Sequence, residues 1–131
     1  MPDAPLSGVR VLVVDDTVDS LDITALVLEL NGATVHKAAS AAEALDVLET
    51  VPIDVLVTDL GMPDADGYGL LRSVRREHPD GNGLVPAIAL TGFTTEEAYA
   101  RTRTAGFRAH LAKPIEPDRL VRVVAEVAAA R

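Results

Sequence analysis

The sequence predicts a single α/β domain built on a five-stranded parallel sheet with helices on both faces. Three observations predict it. Short apolar, β-branched runs alternate with helix-period patterns five times along the chain. With 131 residues and 48% hydrophobic content there is enough apolar material for one core but too little for two. No repeat, low-complexity stretch or internal linker interrupts the alternation. Strands joined through helices run parallel, and right-handed crossovers bring the ends of all of them to one edge of the sheet.

Each element has a local reason. Met1–Gly8, "MPDAPLSG", lacks any apolar run and reads as a short flexible lead-in, leaving 9–131 as the domain. Val9–Val14, "VRVLVV", is a buried strand by length and branching. Thr17–Leu30 is helical, with Asp19 and Asp22 toward its positive N-terminal end, and Asn31-Gly32 stops it. "TVHKA" is a shorter strand. Ser40 and Glu43 form a capping box ahead of Ala41, Ala44, Leu45 and Leu48, and Pro52 closes that helix. "IDVLVT" is the third strand. Asp66 caps a third helix carrying Gly67, Leu70, Leu71 and Val74 on one face, while Arg72, Arg75 and Arg76 form a solvated face. "HPDGNGL" is a loop and "PAIALT" the fourth strand. Thr94 and Glu97 are expected to cap a fourth helix that ends at Gly106. Between Thr95 and Ala105 its apolar residues are only Ala98, Tyr99, Ala100 and Ala105, so it should be the least firmly docked helix. "RAHLA" is the fifth strand, and Pro117 opens a last helix with Leu120, Val123, Val124 and Val127 in helical spacing.

Composition narrows the function. The absence of cysteine rules out disulfides and thiolate metal sites and fits a reducing compartment. No apolar run approaches the roughly 18 residues a membrane span needs. A net charge of −8 argues against nucleic acid or an anionic membrane as the main partner. Together these point to a cytoplasmic protein.

Chemistry-bearing residues collect at the strand ends. Strand one ends in Asp15-Asp16, strand three in Asp59, strand four in Thr91 and strand five in Lys113-Pro114. Singly, each is an ordinary cap, turn or surface residue. At consecutive strand ends of an open sheet they share the crevice where such folds bind ligands. Carboxylates roughly 5 Å apart repel by about 3 kcal/mol per pair at an effective dielectric of about 20. A cation would relieve that cost, and an oxygen-only donor set with open positions suits Mg²⁺. A carboxylate can attack phosphorus, with metal, ammonium and hydroxyl sharing the charge of the transferring group.

The motifs "VVDD" (Val13–Asp16), "TDLGMPDADGYGLL" (Thr58–Leu71), "ALTG" (Ala89–Gly92) and "AHLAKP" (Ala109–Pro114) resemble the receiver domains of two-component response regulators over almost the whole chain. "GMPD" and "AGFRAHLAKPIEP" are most similar to receivers attached to hybrid histidine kinases. The resemblance implies a doubly wound (βα)5 sheet in the flavodoxin-like order 2-1-3-4-5. It implies that Asp59 is the phosphoacceptor and that Asp16, Asp59 and the Gly61 carbonyl hold Mg²⁺, with Asp15 acting through a water. Lys113 would contact the phosphoryl oxygens, Thr91 would hydrogen-bond the phosphoryl group and move when it arrives, and Pro114 would follow a cis peptide. Implied partners are a histidine kinase or histidine phosphotransfer protein and a downstream protein target. No enzymatic turnover is implied beyond the domain's own phosphorylation and dephosphorylation, unless the chain is a piece of a hybrid kinase.

One position departs from the family pattern. Where the family often has Tyr or Phe, three residues before the lysine, this chain has His110, so a rotating side chain would be an imidazole that titrates near neutrality. A partly exposed strand histidine is the plainer alternative; His36 and His78 read as surface residues. Gly61 and Phe93 flank the water approach in the family and offer no polar group, which implies a long-lived phosphoryl group. An aspartyl-phosphate hydrolase would want an acid at position 61, where this chain has glycine. A receiver used as a constitutive docking module would not need the acidic cluster, and a histidine phosphotransfer module would not contain the strands.

Overall fold

The computed structural model describes residues 4–62, 66–77, 81–92 and 95–130. Strands β1 (Arg10–Val14), β2 (Thr34–Ala38), β3 (Val55–Asp59), β4 (Ala87–Thr91) and β5 (Ala109–Ala112) alternate with helices α1 (Val18–Leu30), α2 (Ala41–Thr50), α3 (Gly67–Glu77), α4 (Glu96–Ala105) and α5 (Pro117–Ala129). The sheet is parallel throughout, in the order β2-β1-β3-β4-β5. This is the doubly wound order expected.

Period-two alternation sorts the strand side chains onto two cores. Leu12, Val14, Leu56, Ala87 and Ala89 face Ala44 and Leu48 of α2 and Leu70, Leu71 and Val74 of α3. Val11, Val13, Val55, Val57, Ile88, Leu90 and Leu111 face Leu21 and Leu28 of α1 and Leu120, Val124 and Val127 of α5. Each fully buried aliphatic side chain stabilises the fold by roughly 1.5–3 kcal/mol. Both faces of β3 and β4 are buried, so those strands are apolar without interruption until Thr58-Asp59 and Thr91.

Helix starts follow local chemistry. The Glu43 amide donates to Ser40 Oγ at 3.1 Å, the cap expected for α2. The Gly69 amide donates to Asp66 Oδ1 at 2.8 Å at the start of α3. The α4 cap is Thr95, whose hydroxyl oxygen accepts from the Ala98 amide at 3.1 Å, and not Thr94, which lies outside the described residues. In α1, Thr17 holds the cap position without a side-chain cap bond, and Asp22 pairs with Lys37 at 3.2 Å across to β2.

Three expectations need correction. Arg75 is not on a solvated face: it is half-buried and donates through Nη1 to the carbonyls of Gly83 and Val85, at 2.8 and 2.7 Å. The Gly83 carbonyl belongs to a 3-10 turn over Gly81–Leu84, which the sequence suggested only as loop, and Val85 follows that turn directly. Ala4–Gly8 is not a loose lead-in: Leu6 is fully buried and its amide donates to Asn31 O at 2.9 Å. Gly32 accommodates this segment, because a Cβ there would lie 2.7 Å from Ala4 Cβ, and its φ of +102° suits glycine. His36 is half-buried on β2, and His78 lies outside the described residues.

Candidate functional site

The C-terminal edge of the sheet carries the site. β1 delivers Asp15 and Asp16, β3 delivers Asp59, β4 delivers Thr91, and the segment after β5 delivers Lys113. One carboxylate oxygen from each of Asp15, Asp16 and Asp59 lies within 4.8 Å of the other two. Asp15 is fully buried and Asp59 nearly so, whereas Asp16 is exposed. Lys113 Nζ donates to Asp15 Oδ2 at 2.9 Å and sits 3.4 Å from Asp59 Oδ2. The lysine is itself fixed from behind, its amide donating to Thr91 O at 2.8 Å, and the Lys113-Pro114 peptide is cis, as expected.

Local turns hold the acids in place. The Thr17 amide donates to Asp15 Oδ1 at 3.0 Å, and the Gly61 amide to Asp59 Oδ1 at 3.1 Å. Burial pushes the Asp15 carboxyl up, but hydrogen bonds from Ser20, Lys113 and the Thr17 amide, with the Lys113 charge, more than offset it. Its pKa therefore lies below the ordinary carboxylate value. Burial pushes the Lys113 ammonium down, but its hydrogen bond to Asp15 and the charges of Asp59 and Asp15 raise it above the ordinary lysine value. Both groups are therefore charged at neutral pH.

The donor set fits a hard divalent cation. It consists of oxygens only, drawn together at one edge, and Lys113 offsets one of the three carboxylate charges. Two negative charges are left, the charge that one Mg²⁺ would balance. Among the described residues, a Cβ built on Gly61 would meet only Asp59 Oδ1, at 3.9 Å. A cavity of about 480 Å³ extends from Asp59, Gly61 and Thr91 to Tyr68 on α3 and Arg101 on α4. The Arg101 guanidinium lies over the Tyr68 ring, 4.4 Å from its centroid. Phe93 lies outside the described residues.

His110 is buried on β5 rather than partly exposed. Its Nδ1 is 3.0 Å from Thr102 Oγ1, which also donates to Tyr99 O at 2.9 Å, and the Tyr99 ring lies against the imidazole at 4.1 Å. Thr102 alone is buried among the residues of α4, so this helix is tied to the sheet by a hydroxyl rather than by hydrocarbon. Sequence reading missed Thr102 and Ser20, because neither stands in an apolar pattern or at a strand end.

Comparison with known proteins agrees with this geometry. Residues 11–125 match the response regulator receiver domain family. The chain is 43% identical over 119 residues to an uncharacterised 14.6 kDa protein of Leptolyngbya boryana, covering 91% of this chain and 89% of that protein. It is 38% identical over 103 residues to the sensor kinase CckA of Brucella abortus, covering 76% of this chain but 10% of the kinase. Among solved structures, the Francisella response regulator 1452 receiver domain superposes with a TM-score of 0.85 at 29% identity, covering 94% of this chain and 98% of that one. The CheY-like receiver domain protein of Methanospirillum hungatei gives 0.81 at 30% identity, with 95% of each chain covered. Acidic cluster, bridging lysine, sheet order and sequence match converge, and the chain belongs to the response regulator receiver domain family of two-component systems.

Proposed function

We propose that the chain accepts a phosphoryl group on Asp59 from a phosphohistidine donor and thereby alters a protein-binding face. The observation that carries this reading is the convergence of the Asp15, Asp16 and Asp59 carboxylates with Lys113 bridging two of them. An Asp59 carboxylate oxygen attacks phosphorus while the bond from phosphorus to the donor imidazole nitrogen breaks, and the imidazole leaves with the electron pair. Lys113 would contact the phosphoryl oxygens, and Thr91, which lines the cavity beside Asp59, would hydrogen-bond the phosphoryl group. Asp16, Asp59 and the Gly61 carbonyl would hold Mg²⁺, with Asp15 one water away. When bound, the ion supplies charge neutralisation for the phosphoryl oxygens. The donor would be a histidine kinase or histidine phosphotransfer protein, met in the cytoplasm. Among the described residues no helix is long and apolar enough to cross a membrane.

Incubation with Mg²⁺ and acetyl phosphate should add one phosphoryl mass to the wild type and none to Asp59→Asn. An undiminished adduct in that variant would move the acceptor elsewhere. Asp16→Ala should weaken Mg²⁺ binding by at least roughly tenfold, the loss that even an outer-shell substitution often brings. It should also raise metal-free thermal stability by relieving carboxylate repulsion. Calorimetric titration reads the first effect and a melting curve the second; unchanged Mg²⁺ affinity would remove Asp16 from the ligand set.

A further inference from the structure

A second cavity, of about 180 Å³, lies between α4 and β5, away from the acidic cluster. Its walls include Arg103, Arg108, Tyr99, Thr102 and His110, and no carboxylate among the described residues lines it. In a chain of net charge −8 that is an unusual concentration of positive charge. Neither Arg103 nor Arg108 forms an ion pair among the described residues. A third guanidinium is close enough to matter. Arg75 has its pKa lowered, by burial first and then by the charge of Arg108, and its Nη1 is committed to the Gly83 and Val85 carbonyls. Two buried polar side chains, Thr102 at 1% and His110 at 9% exposure, line the cavity beside Phe107 and Ala109.

We propose that this cavity is a binding site for one small oxyanion, a phosphate or carboxylate group, held by Arg103 and Arg108 against the Thr102–His110 wall. Guanidinium forks match the paired oxygens of such groups and are weakly hydrated, so they bind them at modest desolvation cost. A water's share of liquid volume is about 30 Å³, so the space takes one such group with room for waters. The wall is also the tie between α4 and β5, so occupancy couples to the position of α4, and the anion and any ligand that shifts α4 change each other's affinity by one common factor.

The test uses the whole ¹⁵N-labelled chain without Mg²⁺, at fixed ionic strength, titrated with inorganic phosphate and separately with the capped dipeptide acetyl-Asp-Asp-amide. Saturable amide shifts are expected at Thr102, Arg108, Ala109 and His110. Affinity should fall at least fivefold in Arg103→Ala/Arg108→Ala and stay unchanged in Arg72→Ala/Arg76→Ala, which removes two exposed guanidinium groups of α3. Saturation by phosphate alone identifies a free anion as the ligand, and saturation by the dipeptide identifies a partner's acidic side chain. Shifts that grow linearly without saturating, or that survive in Arg103→Ala/Arg108→Ala, would overturn the proposal. The spectrum of each variant shows directly whether it has folded.

Discussion

Gly67→Ala should destabilise the domain by about 3 kcal/mol, at the upper end for overpacking, and slow phosphorylation of Asp59. A Cβ at position 67 would lie 2.7 Å from the carbonyl oxygen of Asp59, 2.9 Å from Leu60 Cδ2 and 3.2 Å from Leu60 Cα. Two of these three neighbours are backbone atoms, which cannot rotate away as the tip of a side chain can. Relief requires α3 to withdraw from the end of β3 or Asp59 to shift, and either one disturbs the proposed phosphoacceptor. Urea unfolding measures the first effect and the rate of mass-adduct formation with acetyl phosphate the second. A Gly67→Ala protein as stable and as quickly modified as wild type would mean that the close approach is not maintained in solution.

The second large effect is expected at Asn82, far from the acidic cluster. Its Nδ2 donates to Leu48 O at 2.8 Å and Val51 O at 2.6 Å, while its Oδ1 accepts from the Ile53 amide at 3.1 Å. One side chain thus satisfies the frayed end of α2 and the lead into β3. Asn82→Ala strands three backbone groups in a partly buried place, a loss of about 2–3 kcal/mol. In a domain of this size that lowers the melting temperature by roughly 6–12 °C. Phosphorylation at Asp59 should proceed normally at temperatures where the variant is folded. A shift of under 2 °C would show that water replaces the side chain at little cost.

The parts of this structure that were legible in advance are those written in local patterns. Alternating apolar runs gave the strands, and their shared end gave Asp15, Asp16, Asp59, Thr91 and Lys113 as one group. The Ser40 and Asp66 caps could be read because each sits at a fixed short distance from the amide it serves. The same rule chose Thr94 over Thr95, since Glu97 follows Thr94 by three; the helix begins one residue later and the cap needs no acid there. What stayed hidden depends on chain that returns from elsewhere. Arg75 looks solvated until residues 83–85 fold beneath it, and Leu6 looks like part of a tail until α1 ends beside it. His110 could be seen to depart from an aromatic pattern, but its partner Thr102 is eight residues away on another element.

The hydroxyl anchor of α4 has a thermodynamic consequence. Heat capacity and denaturant sensitivity both scale with the apolar and total surface exposed in a transition. Helices α1, α3 and α5 each release at least three buried apolar or aliphatic side chains when they leave the sheet, whereas α4 releases one threonine and the stacked Tyr99. Its detachment therefore carries little heat-capacity change and a shallow denaturant slope. The population with α4 undocked therefore changes little across denaturant concentrations at which global unfolding, with its steep slope, changes by orders of magnitude. A receiver built this way keeps the fraction with α4 undocked almost constant under mild denaturing conditions that erode its overall stability.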